Sequence, residues 1–315
     1  MVFAYSQSRN IERGTMLGTH QHTFKQSVSC VGIGLHSGKK VRLALRPAPA
    51  DTGIVFVRTD LDGSPPIPAR LDNVVDTLRA TTLGLDGVTV STVEHLLSAL
   101  SGLGVDNARI EVSSPEVPIM DGSSEPFVRL IRSAGLERQD RPRKYYTLSG
   151  PLTVRDGDRF VSAVPSSDFK VECFIDFDHP LMKNQSYTVT VTRSAFESEI
   201  SRARTFGFLR EVEYLKQQGL ALGGSLDNAV VMDDCGVLNQ EGLRYHNEFV
   251  RHKALDFIGD AALLGAPILG RFSASKAGHR LHNAFMKELL AATTLTLLDP
   301  MAAALAGSGI REAAG

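Results

Sequence analysis

The sequence predicts an α+β chain of two similar layered domains, each a β-sheet with packed helices. Three observations predict it. Each half of the chain runs strands first and helices afterwards, the order of a layered α+β unit. A charged, proline-containing stretch, ERQDRPRKYY, separates the two halves and places the boundary near 142–146. The 315 residues suffice for two domains of ordinary size, and 43% hydrophobic against 22% charged residues is an ordinary globular composition.

Residues 1–15, MVFAYSQSRNIERGT, lack the charged start and apolar run of a signal peptide. They read as a polar, poorly ordered tail, with Met16 as an alternative start. The first domain then spans 16–143 and the second 144–315. In the first, TFKQSVSCVGIGLHSGKKVRLALRPAPA alternates as strands do and is broken by the Gly-rich turn GIGLHSGK. GIVFVRTDL reads as a strand and LDGSPPIPA as a Pro-rich loop. TTLGLDGVTVSTVEHLLSALSGLG reads as strand, turn and helix, the helix starting near Ser91 or Thr92 and stopping at Gly102 or Gly104. NARIEVSS is a strand, and SSEPFVRLIRSAGL a helix that tolerates Pro126 in its first turn. In the second domain, strands are expected at about 147–175 and 186–192 and a helix at about 206–218. NAVVMD is a further strand, NEFVRHKALDFIGDAALLG the clearest helix of the chain, PILGRFSASKAG a strand and HNAFMKELLAAT a helix.

Charge and cysteine usage exclude several classes. A formal net charge of -1 lacks the basic excess of a non-specific nucleic-acid binder, and no RRM, KH or zinc-finger pattern is present. Three widely spaced cysteines, Cys30, Cys173 and Cys235, form neither a disulfide framework nor a CxxC zinc cluster and fit a reducing compartment. No apolar run is long enough to span a bilayer, so the expected location is the cytoplasm. A metal site here would need His with Asp or Glu.

The helix at about 247–264 offers such residues. His252, Asp256 and Asp260 recur every four positions and line one helical face. His252 and Asp256 can ligate one metal from adjacent turns, with donors that suit zinc; a salt bridge on a solvated face is the plain alternative. Glu94-His95 in STVEHLLSAL offers a third ligand and an adjacent base, although Glu94 also suits a helix N-terminus and His95 a packed core. His279 in AGHRLHN reads as a histidine presented from a loop, a general acid or oxyanion partner, with His282 an alternative in the following helix. In SRARTFGFLR, Thr205 either donates to an oxyanion or caps a helix. GIGLHSGK lacks Walker spacing and reads as a β-turn, and His36 within it is functional or structural. His20, His22, His179 and His246 are not expected to be ligands.

VEHLLSAL around Glu94-His95, MDGSS at 120–124, RTFGF at 204–208, HKALDFIGD at 252–260 and GHRLHN at 278–283 occur together, in that order. With GIGLHSGK at 32–39 and LRPAPADTGIVFVRTDL, the chain resembles the UDP-3-O-acyl-N-acetylglucosamine deacetylases, zinc enzymes of lipid A synthesis, from Met16 to about Leu305. The resemblance implies that the helical layers of the two domains face each other with the active site between them. It implies one catalytic Zn2+ held by His95, His252 and Asp256, with Fe2+ an alternative in cells. Glu94 falls at the general-base position. His279 falls at a protonated histidine that stabilises the oxyanion and protonates the leaving amine, and Asp260 at the acid that orients it. Thr205 falls at an oxyanion donor and Lys253 near the charged head of the substrate. Each domain would carry an insert, at roughly 68–91 and 205–231. The second would form an acyl-chain passage with Phe206, Phe208, Leu209, Val212, Gly224, Leu226 and Val231. Lys276 and Arg204 are further expected contacts of the UDP diphosphate.

The implied reaction is hydrolysis of the N-acetyl group of a UDP-linked, 3-O-acylated N-acetylglucosamine, releasing acetate, by a monomer with no nucleic-acid partner. The competing readings are a zinc amidohydrolase acting on another acylated amino sugar, and a binding module with structural zinc. A structural site normally has four protein ligands, and only three strong candidates occur here.

Overall fold

The computed structural model describes residues 19–292 and 295–298. The expected tail 1–15 and the alternative start Met16 lie outside the described residues. The first sheet has five strands in the spatial order Val28–Ile33, Lys40–Pro47, Ala108–Val112, Ile54–Arg58, Ile67–Pro68. All its pairings are antiparallel except that of Ile54–Arg58 with Ala108–Val112. Strict alternation sets its faces: Lys40–Pro47 buries Val41, Leu43 and Leu45 and exposes Lys40, Arg42 and Arg46. Leu43, Leu45, Phe56 and Ile110 share one core with Leu96, Leu97 and Leu100 of helix α1 (Glu94–Leu103) and Phe127 and Ile131 of α2 (Glu125–Ala134). Between sheet and α1, residues 74–90 form a three-stranded antiparallel sheet of Val74–Asp76, Thr82–Leu85 and Val88–Val90.

The second sheet is built around Ile268–Ser275, flanked by antiparallel Arg159–Val164 and parallel Phe169–Ile175. Leu152–Asp156, Gln185–Thr190, Tyr145–Leu148 and Leu295–Leu298 complete its seven strands. Phe169–Ile175 buries Phe169, Val171, Cys173 and Ile175, every second residue. A smaller parallel pair, Phe206–Phe208 with Val230–Met232, is connected through helix α3 (Leu209–Gln217). Helices α4 (Glu248–Ala261) and α5 (His279–Ala291) cover the seven-stranded sheet, with Phe257 meeting Phe272 and Phe285 meeting Phe272 as ring pairs.

The centre of the molecule is the contact of α1 with α4. All residues of α4 except Arg251 and Lys253 are buried, because its own sheet lies on one side and α1 on the other. The Ser98 hydroxyl donates to the Leu255 carbonyl at 2.9 Å. A Cβ on Gly259 would lie 2.2 Å from the Glu94 carbonyl oxygen, so this residue must be glycine for the backbones to approach as they do.

Two local expectations change. The helix expected at about 206–218 begins as strand: Phe206 and Phe208 flank Gly207 and pair with Val230–Met232 before α3 starts. The separating stretch ERQDRPRKYY contains much of a strand: Leu136–Pro142 pairs antiparallel with His20–Phe24, its polar side chains on a half-exposed ribbon. Helix α1 starts at Glu94 rather than Ser91 or Thr92, because Thr92 sits at φ 58°, outside helical space. Among the described residues, no helix is long and apolar enough to cross a membrane.

Candidate metal centre and catalytic site

His95, from the first turn of α1, meets His252 and Asp256, from adjacent turns of α4. All three are buried, and one potential ligand atom from each lies within 4.8 Å of the others. The four-residue spacing on α4 puts Asp256 Oδ1 3.3 Å from His252 Nε2, and the packing of α1 on α4 brings His95 Nε2 to 3.7 Å from the same oxygen. The His252 Nδ1–H donates to the Ala203 carbonyl at 3.0 Å, which leaves Nε2 with its lone pair in the neutral ring. Burial, reinforced by His252, pushes the His95 imidazole down to about 3, and burial lowers His252 as well, so both rings are neutral near pH 7. Asp256 stays ionised: burial opposes it, but His252 and then Lys253 hold its carboxyl well below the usual range. Its Oδ1 has no hydrogen-bond partner, whereas Oδ2 accepts from Lys253 Nζ at 2.9 Å. An unpartnered carboxylate oxygen facing the Nε2 atoms of two neutral imidazoles, one of them bared by the His252–Ala203 bond, is an arrangement that a cation completes. The donor set, two imidazole nitrogens and one carboxylate, is that of a catalytic zinc.

Beside these candidate ligands stand Glu94, His279 and Asp260. Glu94 Oε2 accepts from the Thr81 backbone N–H at 3.1 Å, and Oε1 lies 3.7 Å from His279 Nε2, beyond hydrogen-bond distance. Burial raises the Glu94 carboxyl to about 7 against the opposing pull of His279, with Asp256 and Asp260 adding to the rise. His279 is the first residue of α5, not a loop residue, with Gly278 extended at the cap. Its Nδ1–H donates to Asp260 Oδ2 at 2.8 Å. Burial works against its charged form, but Asp260, then Glu94, raises it to about 10. Asp260 itself is held well below the usual carboxylate range by His279 despite burial. Thr81, which sequence reasoning did not place here, and His282, which it offered only as an alternative to His279, complete the group. The Thr81 hydroxyl donates to Asp260 Oδ1 at 2.7 Å, and His282 Nδ1–H donates to Asp260 Oδ2 at 2.7 Å.

Thr205 is anchored through its backbone: its N–H donates to Gly122 O and its carbonyl accepts from Val230 N–H, each at 2.8 Å. Arg204 is not free to meet a diphosphate. It is 1% exposed, with Nε on Glu248 Oε1 at 2.8 Å, Nη1 on Glu241 at 2.6 Å and Nη2 on the Gly242 carbonyl at 2.7 Å. That buried ion pair instead ties the segment before Thr205 to the start of α4. Lys253 keeps its charge, because the Asp256 carboxylate outweighs burial, and its Nζ lies 5.3 Å from the Phe206 ring centroid. A cavity of about 270 Å³ opens beside it, lined also by Arg159, Phe177 and Lys276, the last paired with Asp158 at 3.1 Å and Asp176 at 3.4 Å.

Phe206 places its ring edge-on to Phe249 at 5.2 Å and 6.1 Å from His252, which brings it to the candidate ligand set. Phe208 packs against His179 at 5.7 Å, and Val231, paired with Gly207, is buried. Leu209 and Leu226 stand 39% and 44% exposed, with Val212 half-buried against Gly207. The loop containing Gly224 docks on the Gly-rich turn of the first half: Leu222 N–H donates to His36 O at 3.2 Å and Gly223 N–H to Leu35 O at 3.0 Å. His36 thus contributes its backbone. That turn is clamped by Glu116, which accepts from the His36 and Ser37 N–H groups at 2.8 and 2.9 Å.

The family model described as UDP-3-O-acyl N-acetylglycosamine deacetylase (LpxC) matches residues 21–291. Proteins named UDP-3-O-acyl-N-acetylglucosamine deacetylase are similar over most of the chain. That of Acidithiobacillus ferrooxidans is 56% identical over 272 residues, covering 86% of this chain and 90% of its own. That of Pseudomonas entomophila is 54% identical over 275 residues, 87% of this chain and 91% of its own. That of Hahella chejuensis is 53% identical over 272 residues, 86% and 90% respectively.

Proposed function

The chain belongs to the UDP-3-O-acyl-N-acetylglucosamine deacetylase family of hydrolases, and from that premise we propose that it removes acetate from a UDP-linked, 3-O-acylated N-acetylglucosamine in a zinc-dependent step of lipid A biosynthesis. One observation carries the metal reading: Asp256 Oδ1 is buried without a partner where the Nε2 atoms of His95 and His252 converge. These three residues would hold the ion. When bound, zinc supplies Lewis-acid polarisation of the amide carbonyl and makes a water easier to deprotonate.

The chain's own residues do the rest. Glu94, ionised for part of the time near pH 7, takes a proton from the attacking water, whose oxygen bonds to the acetyl carbon. His279, kept cationic by Asp260, faces the developing oxyanion and gives its Nε2 proton to the amine as the carbon–nitrogen bond breaks. The Thr205 hydroxyl donates a further hydrogen bond to the oxyanion. Lys253 and the neighbouring cavity receive the charged UDP portion. The acyl chain runs past Phe206, Phe208 and Val231 toward Leu209, Val212, Gly224 and Leu226.

The test is acetate release from the acylated UDP sugar by protein as isolated, after chelation, and after restoring stoichiometric zinc. Release is expected to vanish on chelation and return with zinc. Asp256→Ala is expected to weaken zinc binding by at least the roughly 10–100-fold typical of lost supporting contacts. A folded, zinc-loaded sample that releases no acetate refutes the substrate; full zinc occupancy in Asp256→Ala removes Asp256 from the ligand set.

A further inference from the structure

Asp260 receives three side-chain hydrogen bonds, one from Thr81 and two from successive turns of α5. The Thr81 hydroxyl reaches Oδ1 at 2.7 Å, while His279 Nδ1 and His282 Nδ1 share Oδ2 at 2.8 and 2.7 Å. The deacetylation described above uses Asp260 and His279 and gives His282 no part. His282 nevertheless lies one turn beyond His279 on α5, is 1% exposed, and has its ring edge-on to Phe257 at 5.1 Å. A buried imidazole whose nitrogen meets an ionised carboxylate must carry its proton on that nitrogen. Without His282, Oδ2 keeps only His279, and rotation of the carboxylate about its last torsion, which is broad for Asp, is opposed only by that bond and by Thr81 on Oδ1. A second donor on the same oxygen, opposed by Thr81 on the other, fixes both its place and its rotation.

We infer that His282 is a positioning residue for deacetylation: its Nδ1–H holds Asp260 so that Asp260 keeps the His279 ring aimed at the reacting amide. This rests on the deacetylase reading above, with His279 as the acid. His282 touches neither the ligand set nor Glu94 through any hydrogen bond of the described residues, so its loss acts on the acid and spares metal and substrate binding.

The experiment compares steady-state deacetylation by the zinc enzyme and by His282→Met, His282→Asn, His279→Ala and Glu94→Gln, with zinc content and thermal unfolding measured on each. A hydrogen bond to a charged group is worth enough that His282→Met should lower kcat roughly tenfold to a hundredfold. KM and zinc content should stay at the parent values. His282→Asn presents an amide N–H to the same carboxylate and should restore most of kcat, a rescue that loss of packing volume would not give. Nitrogen-15 spectra of histidine-labelled enzyme should show His282 protonated at Nδ1, and a His279 Nδ1–H signal that persists in His282→Asn and shifts in His282→Met. Parent-like kcat in His282→Met, alongside inactive His279→Ala and Glu94→Gln, overturns the inference and leaves the deacetylase reading standing. If His279→Ala and Glu94→Gln also retain activity, that reading itself fails. Should His282→Met not fold, an unprotonated His282 Nδ1 in the parent enzyme, or a His282→Asn kcat as low as that of His279→Ala, overturns the inference.

Discussion

Glu94 and His279 hold protons against their habits in water, the carboxyl raised to about 7 and the imidazole to about 10. The signs fix the expected pH dependence. A base must be ionised, so activity falls as pH drops through the Glu94 value; an acid must be protonated, so activity falls as pH rises through the His279 value. A bound dication favours the carboxylate and disfavours the imidazolium, which moves both limits down. The kcat/KM profile is therefore expected to be bell-shaped, with an acid limb at or below about 7 and a basic limb at or below about 10. Glu94→Gln is expected to lower kcat by roughly 10²–10⁴-fold at unchanged zinc content. A rate still climbing above pH 10, or near-normal turnover in Glu94→Gln, removes the corresponding residue from its role. The sequence exposed His252, Asp256 and Asp260 because one helical face repeats every four residues. It concealed Thr81, which reaches Asp260 across 179 positions of chain, since no local periodicity records a contact made by folding. Arg204 misled for the opposite reason: a cation beside the site looked free, but Glu248 and Glu241 arrive from 44 and 37 positions away.

Helices α1 and α4 each bring part of the site, so their spacing decides whether His95 reaches Asp256. Gly259 sets that spacing. An added Cβ would meet the Glu94 carbonyl oxygen at 2.2 Å, its carbon at 2.9 Å and Cα at 3.1 Å, all backbone atoms that cannot swing away. Gly259→Ala must push α1 outward, at a cost of about 1–3 kcal/mol for overpacking. Both thermal stability and zinc affinity are expected to fall together, measured by unfolding and by metal titration. Parent-like values for both would show that the helices part without disturbing the ligands, against the view that this contact aligns the site. Elements with a long period were legible: α4 runs within the stretch that its apolar pattern marked. Short ones were not. Phe206–Phe208 offers only three residues, too few to show alternation, and its strand character comes from Val230–Met232, more than twenty residues later.

Across the whole molecule, the two sheets are joined at a second place besides α1 and α4. The loop at 220–224 leans on the Gly-rich turn through Leu222 N–H and Gly223 N–H, while Glu116 keeps that turn in shape. The turn read from sequence as a simple reversal is thus the support for the far wall of the proposed acyl passage. Gly223 makes the contact: a Cβ there would lie 2.3 Å from Gly34 O and 3.2 Å from Gly38 Cα, with backbone on both sides. Gly223→Ala must lift the loop off the turn, and about 1.4 kcal/mol of lost contact equals a tenfold change in binding. Glu94, His279 and the proposed zinc ligands do not touch this loop through any hydrogen bond of the described residues, so kcat and zinc content are expected to hold while KM for the acylated substrate rises up to about tenfold. The effect should grow with acyl length, because only a longer chain reaches the displaced wall. Steady-state kinetics with UDP sugars differing only in acyl length measures it. An equal KM change at every length would place the acyl chain elsewhere, and a drop in kcat alone would mean that the loop acts on the catalytic residues rather than on the passage.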